Sequence, residues 1–250
     1  PAGRMRATRL PGVPVGRVWG TPGSPVANRR QGGLPPPRGN PGSPIFTPVT
    51  CYNEASNERQ AHAERPAMQN YWHDLEPGPA VPDVIHTVVE IPKGSRNKYE
   101  FDKTIGAFKL DRVLYSAVQY PGDYGFIPQT YYDDGDPLDV LVMTNLPTFT
   151  GCIVEARPVG MFRMLDKGEH DDKILAVLQY DPFFASFTDY TDLPPHYLKE
   201  VEHFFTVYKD LEGTRVEPVG WEHVDVARQR ILYAINNYWD MRAGRLLKRA

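Results

Sequence analysis

Asp133-Asp134-Gly135-Asp136-Pro137-Leu138-Asp139-Val140 sets three carboxylates, Asp134, Asp136 and Asp139, within six residues. Gly135 lets the backbone turn, and Pro137 stiffens it. Asp136 precedes proline and is therefore biased away from helix. The apolar run Val140-Leu141-Val142-Met143 follows at once and reads as a buried strand. The acids thus sit on a rigid turn anchored by the core. Like charges held this close repel one another unless cations neutralise them, and an all-oxygen ligand set favours a hard ion such as magnesium or calcium. The plain alternative is an acidic surface turn.

Other strands flank this one. Ile85 to Ile91 is rich in β-branched residues and stops at Pro92. Lys98 to Phe101 and Phe108 to Leu114 read as a hairpin around Thr104-Ile105-Gly106-Ala107. Ile153 to Met164 and Ile174 to Leu178 follow. Two helices close the chain. The first opens near Asp192-Leu193-Pro194-Pro195 and runs to about Asp210, with Leu198, Val201, Phe204, Phe205 and Tyr208 on one face. The second spans about Val224 to Arg242, with Ile231, Ile235, Tyr238 and Trp239 inward and Gly244 as its stop. Short strands followed by helices predict a mainly β fold, a small barrel packed by helices.

The formal charge of −3 conceals an asymmetry. Residues 1–67 carry nine arginines, no lysine and three glutamates, with twelve of the 25 prolines and nine of the 21 glycines. Such a segment buries little apolar surface and is expected to be disordered. It lacks the apolar core of a secretory signal. It is Arg-rich like an organelle transit peptide but punctuated by Pro and Gly. The preferred reading is translated upstream sequence, with a start near Met68 and a folded domain over residues 68–250. No apolar run approaches the roughly 18 residues of a membrane span. Two distant cysteines, Cys51 and Cys152, support neither a disulfide framework nor a cysteine metal site, and the expected location is the cytoplasm. His196 and His203, seven residues apart, read as ordinary helix-surface residues.

A second acidic cluster runs from Leu165 to Lys173 between two strand-like segments. A hairpin there could bring Asp166 and Asp171 to face the first cluster, although a charged hairpin tip is also a common solvated loop. Lys98 and Glu100 alternate on one strand and so share a face. Arg112 lies on the next strand. Tyr120 and Tyr124 surround a tight turn, and Tyr208-Lys209 ends the first helix. Each has a structural alternative, since tyrosines pack as aromatics and a lysine at a helix C-terminus complements the dipole. Together, cation-gathering carboxylates with Lys, Arg and Tyr donors suit a phosphate ester or anhydride.

The chain resembles the soluble, magnesium-dependent inorganic pyrophosphatases (family I type) from roughly Pro79 to Ala243. The resemblance is carried by Val89-Glu90-Ile91-Pro92, Lys98-Tyr99-Glu100, Asp111-Arg112, Tyr120 to Gly125 and Asp134-Gly135-Asp136-Pro137-Leu138-Asp139. Pro158-Val159-Gly160, Asp166 to Lys173 and His203 to Lys209 continue it in order. It implies a five-stranded OB-like barrel flanked by helices, and hydrolysis of pyrophosphate to two orthophosphates. It further implies that Asp134, Asp139, Asp166 and Asp171 bind several Mg²⁺ ions and that Asp136 deprotonates the attacking water. Glu90 and Glu100 would hold outer ions. Lys98, Arg112, Tyr124, Tyr208 and Lys209 would grip the phosphoryl groups, with Lys173 and Tyr120 in support. A homohexamer is implied too. Lys167 departs from the Glu or Gln frequent in relatives.

Other readings fit less well. A haloacid-dehalogenase-like phosphatase needs an apolar strand before its first aspartate, where Gln129-Thr130-Tyr131-Tyr132 stands. An EF-hand needs a glutamate where Asn145 stands, and Pro137 would obstruct its loop. A barrel that binds nucleic acid is disfavoured by the acidity of residues 68–250.

Overall fold

The computed structural model describes residues 70–245. The expected disorder of residues 1–67 lies outside the described residues. In chain order the strands are β1 (Ile85–Ile91), β2 (Asn97–Asp102), β3 (Ala107–Val113), β4 (Asp123–Phe126), β5 (Asp139–Met143), β6 (Ile153–Asp166), β7 (Glu169–His170) and β8 (Lys173–Leu178). Helix α1 (Pro195–Val207), strand β9 (Val216–His223) and helix α2 (Val224–Arg242) complete the chain.

The strands pair in the order β1-β4-β5-β8-β6, and β6 pairs back to β1. Five strands therefore close on themselves, as expected for an OB-like barrel. β7 and β9 extend β6, and β2 and β3 form a separate hairpin. The β5–β8 pair is parallel, with Asp139 opposite Lys173. Both strands are buried on both faces, which explains their unbroken apolar sequences. Leu141, Leu175 and Val177 join a cluster containing Val201, Phe204 and Phe205 of α1. Val140, Val142, Ile174 and Ala176 join another containing Ala227, Ile231 and Ala234 of α2. This alternation is the period of a strand. Ile231 is fully buried, so truncation to alanine would cost about 2–5 kcal/mol.

The expected strands occur within a residue or two, and three more appear. β4 hides in the tyrosine-rich turn because its four residues are all buried and show no alternation. Gly125 is essential there. A Cβ on it would sit 1.9 Å from the Val88 carbonyl oxygen. β9 contains Pro218 and Gly220, which normally break strands; a register shift opposite Arg163 and Met164 accommodates them. β7 is only two residues long.

Helix α1 ends at Val207, short of the expected Asp210, and a separate 3-10 turn spans Asp210–Glu212. Asp192 does not cap α1. It belongs to a 3-10 turn at Tyr190–Asp192, whose capping box with Asp189 it completes. Trp239 was expected inward but is 52% exposed. Ile231, Ala234 and Tyr238 define the buried stripe of α2, and the next residue lies 100° round the helix. Among the described residues no helix is long and apolar enough to cross a membrane.

Candidate active site

Two acidic segments meet because β5 and β8 begin side by side. The turn before β5 carries Asp134 and Asp136, and Asp139 is the first residue of the strand. The β6–β7 hairpin carries Asp166, and Asp171 precedes β8. Lys173 is 3% exposed and joins the two segments, donating to Asp139 Oδ2 at 2.5 Å and also to Asp171. Burial opposes its charge, but Asp139 and Asp171 hold its pKa well above the usual lysine value. Tyr124 on β4 donates its hydroxyl to the same Asp139 oxygen at 2.5 Å.

A cleft of about 190 Å³ opens beside this junction, lined by Glu90, Lys98, Glu100, Lys103, Tyr124, Asp134, Asp136 and Asp139 among others. Irregularities in strand pairing aim two of the acids. In the β1–β4 pair, Val89 faces Gly125 and Ile91 faces Tyr124, leaving Glu90 at a bulge. Its carboxylate accepts from the Phe101 N–H at 2.7 Å. Burial pushes its pKa up to about 8 against that hydrogen bond, with the Asp139 charge adding to the rise. In the β2–β3 pair, Lys98 faces Arg112 and Tyr99 faces Leu110, leaving Asp111 as the extra residue. Asp111 contacts Arg112 and stands 3.7 Å from Lys98. Bulges of this kind commonly re-aim side chains beside active sites.

Of the remaining expected residues, Lys98 and Glu100 line the cleft, whereas Arg112, Tyr120, Asp166, Asp171, Lys173, Tyr208 and Lys209 are not among its lining. Lys98 pairs with Glu100, as their shared strand face predicts. Lys209 donates to Asp166 Oδ2 at 2.6 Å, and Asp166 Oδ1 is buried without a hydrogen-bond partner. Tyr208 is buried; burial raises its pKa, and Lys209 and Lys173 work to lower it. Tyr120 lies in the core, its ring 5.3 Å from that of Tyr124 and 4.6 Å from Phe204. Arg112 turns toward Glu212, Nε to Oε1 at 3.1 Å, so it reaches the cleft only through Asp111 and Lys98. His196 and His203 are exposed on α1, as expected.

Lys103 and Glu212 were not singled out from the sequence. Lys103 contacts Asp136 and lies 4.7 Å from the Trp72 ring centroid. The signal available was its position five residues after Lys98, at the tip of the hairpin.

The electrostatics call for added cations. Burial, then the Asp139 charge, push Asp134 up to about 6. Burial raises Asp139 as well, against Lys173. Among the described residues no three acidic, His or Cys side chains converge on one point; lysines lie between them. The all-oxygen donor set, the raised carboxyl pKa values and the unpartnered Asp166 oxygen fit a hard divalent ion.

Residues 87–239 match the family model for inorganic pyrophosphatase. Over 172 residues the chain is 53% identical to the inorganic pyrophosphatase of Haloferax volcanii, covering 68% of this chain and 97% of that protein. It is 45% identical over 184 residues to soluble inorganic pyrophosphatase 1 of Arabidopsis thaliana, covering 73% and 87%. The crystal structure of inorganic pyrophosphatase from Thermus thermophilus superposes with a TM-score of 0.67 at 42% identity, covering 68% of this chain and 99% of that one.

Proposed function

The chain belongs to the inorganic pyrophosphatase family, and on that premise we propose how its cleft hydrolyses pyrophosphate to two orthophosphates. The observation that carries the reading is the Asp139 carboxylate, shared by Lys173 and Tyr124 and joined through Lys173 to Asp171 at the edge of an acid-lined cleft. Asp134, Asp139, Asp166 and Asp171 hold magnesium, and Glu90 and Glu100 hold further ions. Magnesium, when bound, supplies positive charge for the phosphoryl oxygens and acidifies water.

Asp136 accepts the proton of the attacking water, a role that its place at the cleft mouth supports. Lys98, Tyr124, Tyr208 and Lys209 hold the phosphoryl oxygens, and Arg112 joins them by exchanging its Glu212 partner for substrate, with Lys173 and Tyr120 fixing the floor. Phosphoryl transfer has a loose transition state, so positioning and charge stabilisation supply most of the acceleration. Substrate oxygens compete with Asp136 for Lys103.

The test is phosphate release from pyrophosphate with Mg²⁺, against ATP and p-nitrophenyl phosphate. Pyrophosphate should be strongly preferred, EDTA should abolish release and Mg²⁺ should restore it. Full activity in metal-free buffer would remove the magnesium reading.

We also infer a cytoplasmic homohexamer that pulls pyrophosphate-releasing biosynthesis forward. Leu146, Phe149, Tyr180 and Phe183 are large apolar side chains left exposed, and an association that covered them would be favourable. A monomer mass by light scattering at micromolar concentration would contradict it. Residues 68–250 form the catalytic domain, and a chain beginning at Met68 keeps full activity.

A further inference from the structure

A buried polar contact runs behind the cleft and belongs to none of the roles above. Asp172 lies between Asp171 and Lys173, whose side chains meet each other. Successive side chains of an extended segment point to opposite faces. Asp172 is accordingly turned inward and is 1% exposed. Its Oδ2 accepts the Tyr132 hydroxyl at 2.7 Å, and Arg163 Nε stands 3.6 Å away. Its Oδ1 has no hydrogen-bond partner.

Tyr132 sits at the base of the first acidic turn. Its N–H donates to the Asp136 carbonyl at 2.7 Å, and its carbonyl accepts from the Gly135 N–H at 3.1 Å. These two bonds close the loop that carries Asp134 and Asp136. Tyr132 is 3% exposed, and its ring meets that of Tyr233 edge-on at 6.3 Å. Burial and the Asp172 carboxylate keep its phenol protonated, so it remains a donor. The hydroxyl therefore spans 40 residues of sequence to tie the first acidic loop to the second.

A buried carboxylate with so few partners opposes stability, and an apolar pair of similar shape would avoid that cost. What the hydrogen bond adds is direction and a fixed spacing. Magnesium demands near-octahedral geometry, so a small drift between two ligand-bearing loops weakens binding.

We propose that the Tyr132–Asp172 hydrogen bond is a brace that fixes the distance between the two acidic loops, making Tyr132 and Asp172 positioning residues for the cation site. The inference rests on the reading of Asp134, Asp139 and Asp171 as magnesium ligands.

The test is thermal melting of the full chain against Mg²⁺ concentration, without substrate, for wild type, Tyr132→Phe, Asp172→Asn and the double variant. Tyr132→Phe is isosteric and removes only the hydroxyl. It should raise the Mg²⁺ concentration for half-maximal stabilisation roughly tenfold, the low end for groups that orient metal ligands. Its kcat at saturating Mg²⁺ should stay within about twofold of wild type. Asp172→Asn keeps an oxygen that can accept from Tyr132, so its midpoint should lie between the two. The double variant should match Tyr132→Phe, because both substitutions act on one bond. A Tyr132→Phe chain that melts lower without metal but keeps the wild-type Mg²⁺ midpoint would reduce the contact to simple packing and remove the brace alone. A wild type that gains no stability from Mg²⁺ would remove the ligand assignment and the brace with it.

Discussion

Asp139 and Lys173 stand opposite each other where the parallel β5–β8 pair begins, and Lys173 Nζ donates to Asp139 Oδ2 at 2.5 Å. The backbone ladder and the ion pair thus coincide. That pairing, one of those that make up the closed ring, also brings the two acidic segments together.

Asp136→Asn should fold and still take up Mg²⁺, with kcat lowered by about 10²–10⁴-fold, the usual worth of a general base. Steady-state phosphate release at saturating Mg²⁺ measures it. Near-normal turnover would mean that another group takes the proton.

Lys103→Met should raise KM for pyrophosphate by removing a cation from the cleft mouth. Its pair with Asp136 is partly exposed, so stability should change by only about 0–1 kcal/mol. The ammonium lies 4.7 Å from the Trp72 ring centroid, so tryptophan emission should shift with the substitution. Unchanged KM and emission together would place Lys103 outside the site.

Gly125→Ala should abolish folding or cost more than about 4 kcal/mol, the range of severe backbone and core clashes. The added Cβ would meet Val88 O at 1.9 Å and Val89 Cα at 2.9 Å, both backbone atoms that cannot move aside singly. Recovery of soluble chain with wild-type melting would show that β1 and β4 do not approach so closely.

Asp189 ties α2 to the barrel. It accepts from the Val224 N–H at 3.0 Å, the Thr191 N–H at 3.2 Å and the Thr191 hydroxyl at 2.9 Å, and it contacts His223 Nδ1 at 3.0 Å. Partial burial works to raise its pKa, but these donors hold it below the ordinary 3.8. A carboxyl depressed by folding stabilises the protein above its unfolded pKa and loses that contribution as pH falls through the folded value. Asp189→Ala should therefore melt lower at neutral pH, by the about 0.5–2 kcal/mol of a lost cap. The gap should close only in buffer more acid than 3.8. A gap that persists there would assign the loss to packing.

Much of this site was legible because its chemistry is local in sequence. Gly135, Pro137 and the apolar run after Asp139 define a turn and its anchor without knowledge of the fold. Lys98 and Arg112 could be paired because a hairpin joins them, and they do face each other across β2 and β3. Tertiary causes hid the rest. Glu212 meets Arg112 across 100 residues. Asp172 looked like one more acid in a charged loop, and only the burial of its neighbours' strand turns it inward. β9 escaped notice because Pro218 and Gly220 oppose strand formation, and its pairing with β6 overrides them. Trp239 was misjudged because a stripe inferred from hydrophobicity alone is wider than the one that packing uses.

The parallel pairing of β5 and β8 has a bearing on synthesis at the ribosome. Parallel neighbours need a long crossover, and here β6 supplies it while pairing with β1, β8 and β9. A nascent chain that has emerged as far as Met164 already carries Asp134, Asp136 and Asp139, with Lys103 for Asp136 and the Tyr124 hydroxyl for Asp139, yet the buried lysine that joins the two acidic segments is still missing. Only when Lys173 follows does Asp139 gain its ammonium partner, and only when Lys209 emerges does Asp166 gain one. The charge pairing of the site is therefore completed late and stepwise, and a chain released before Lys209 lacks part of it.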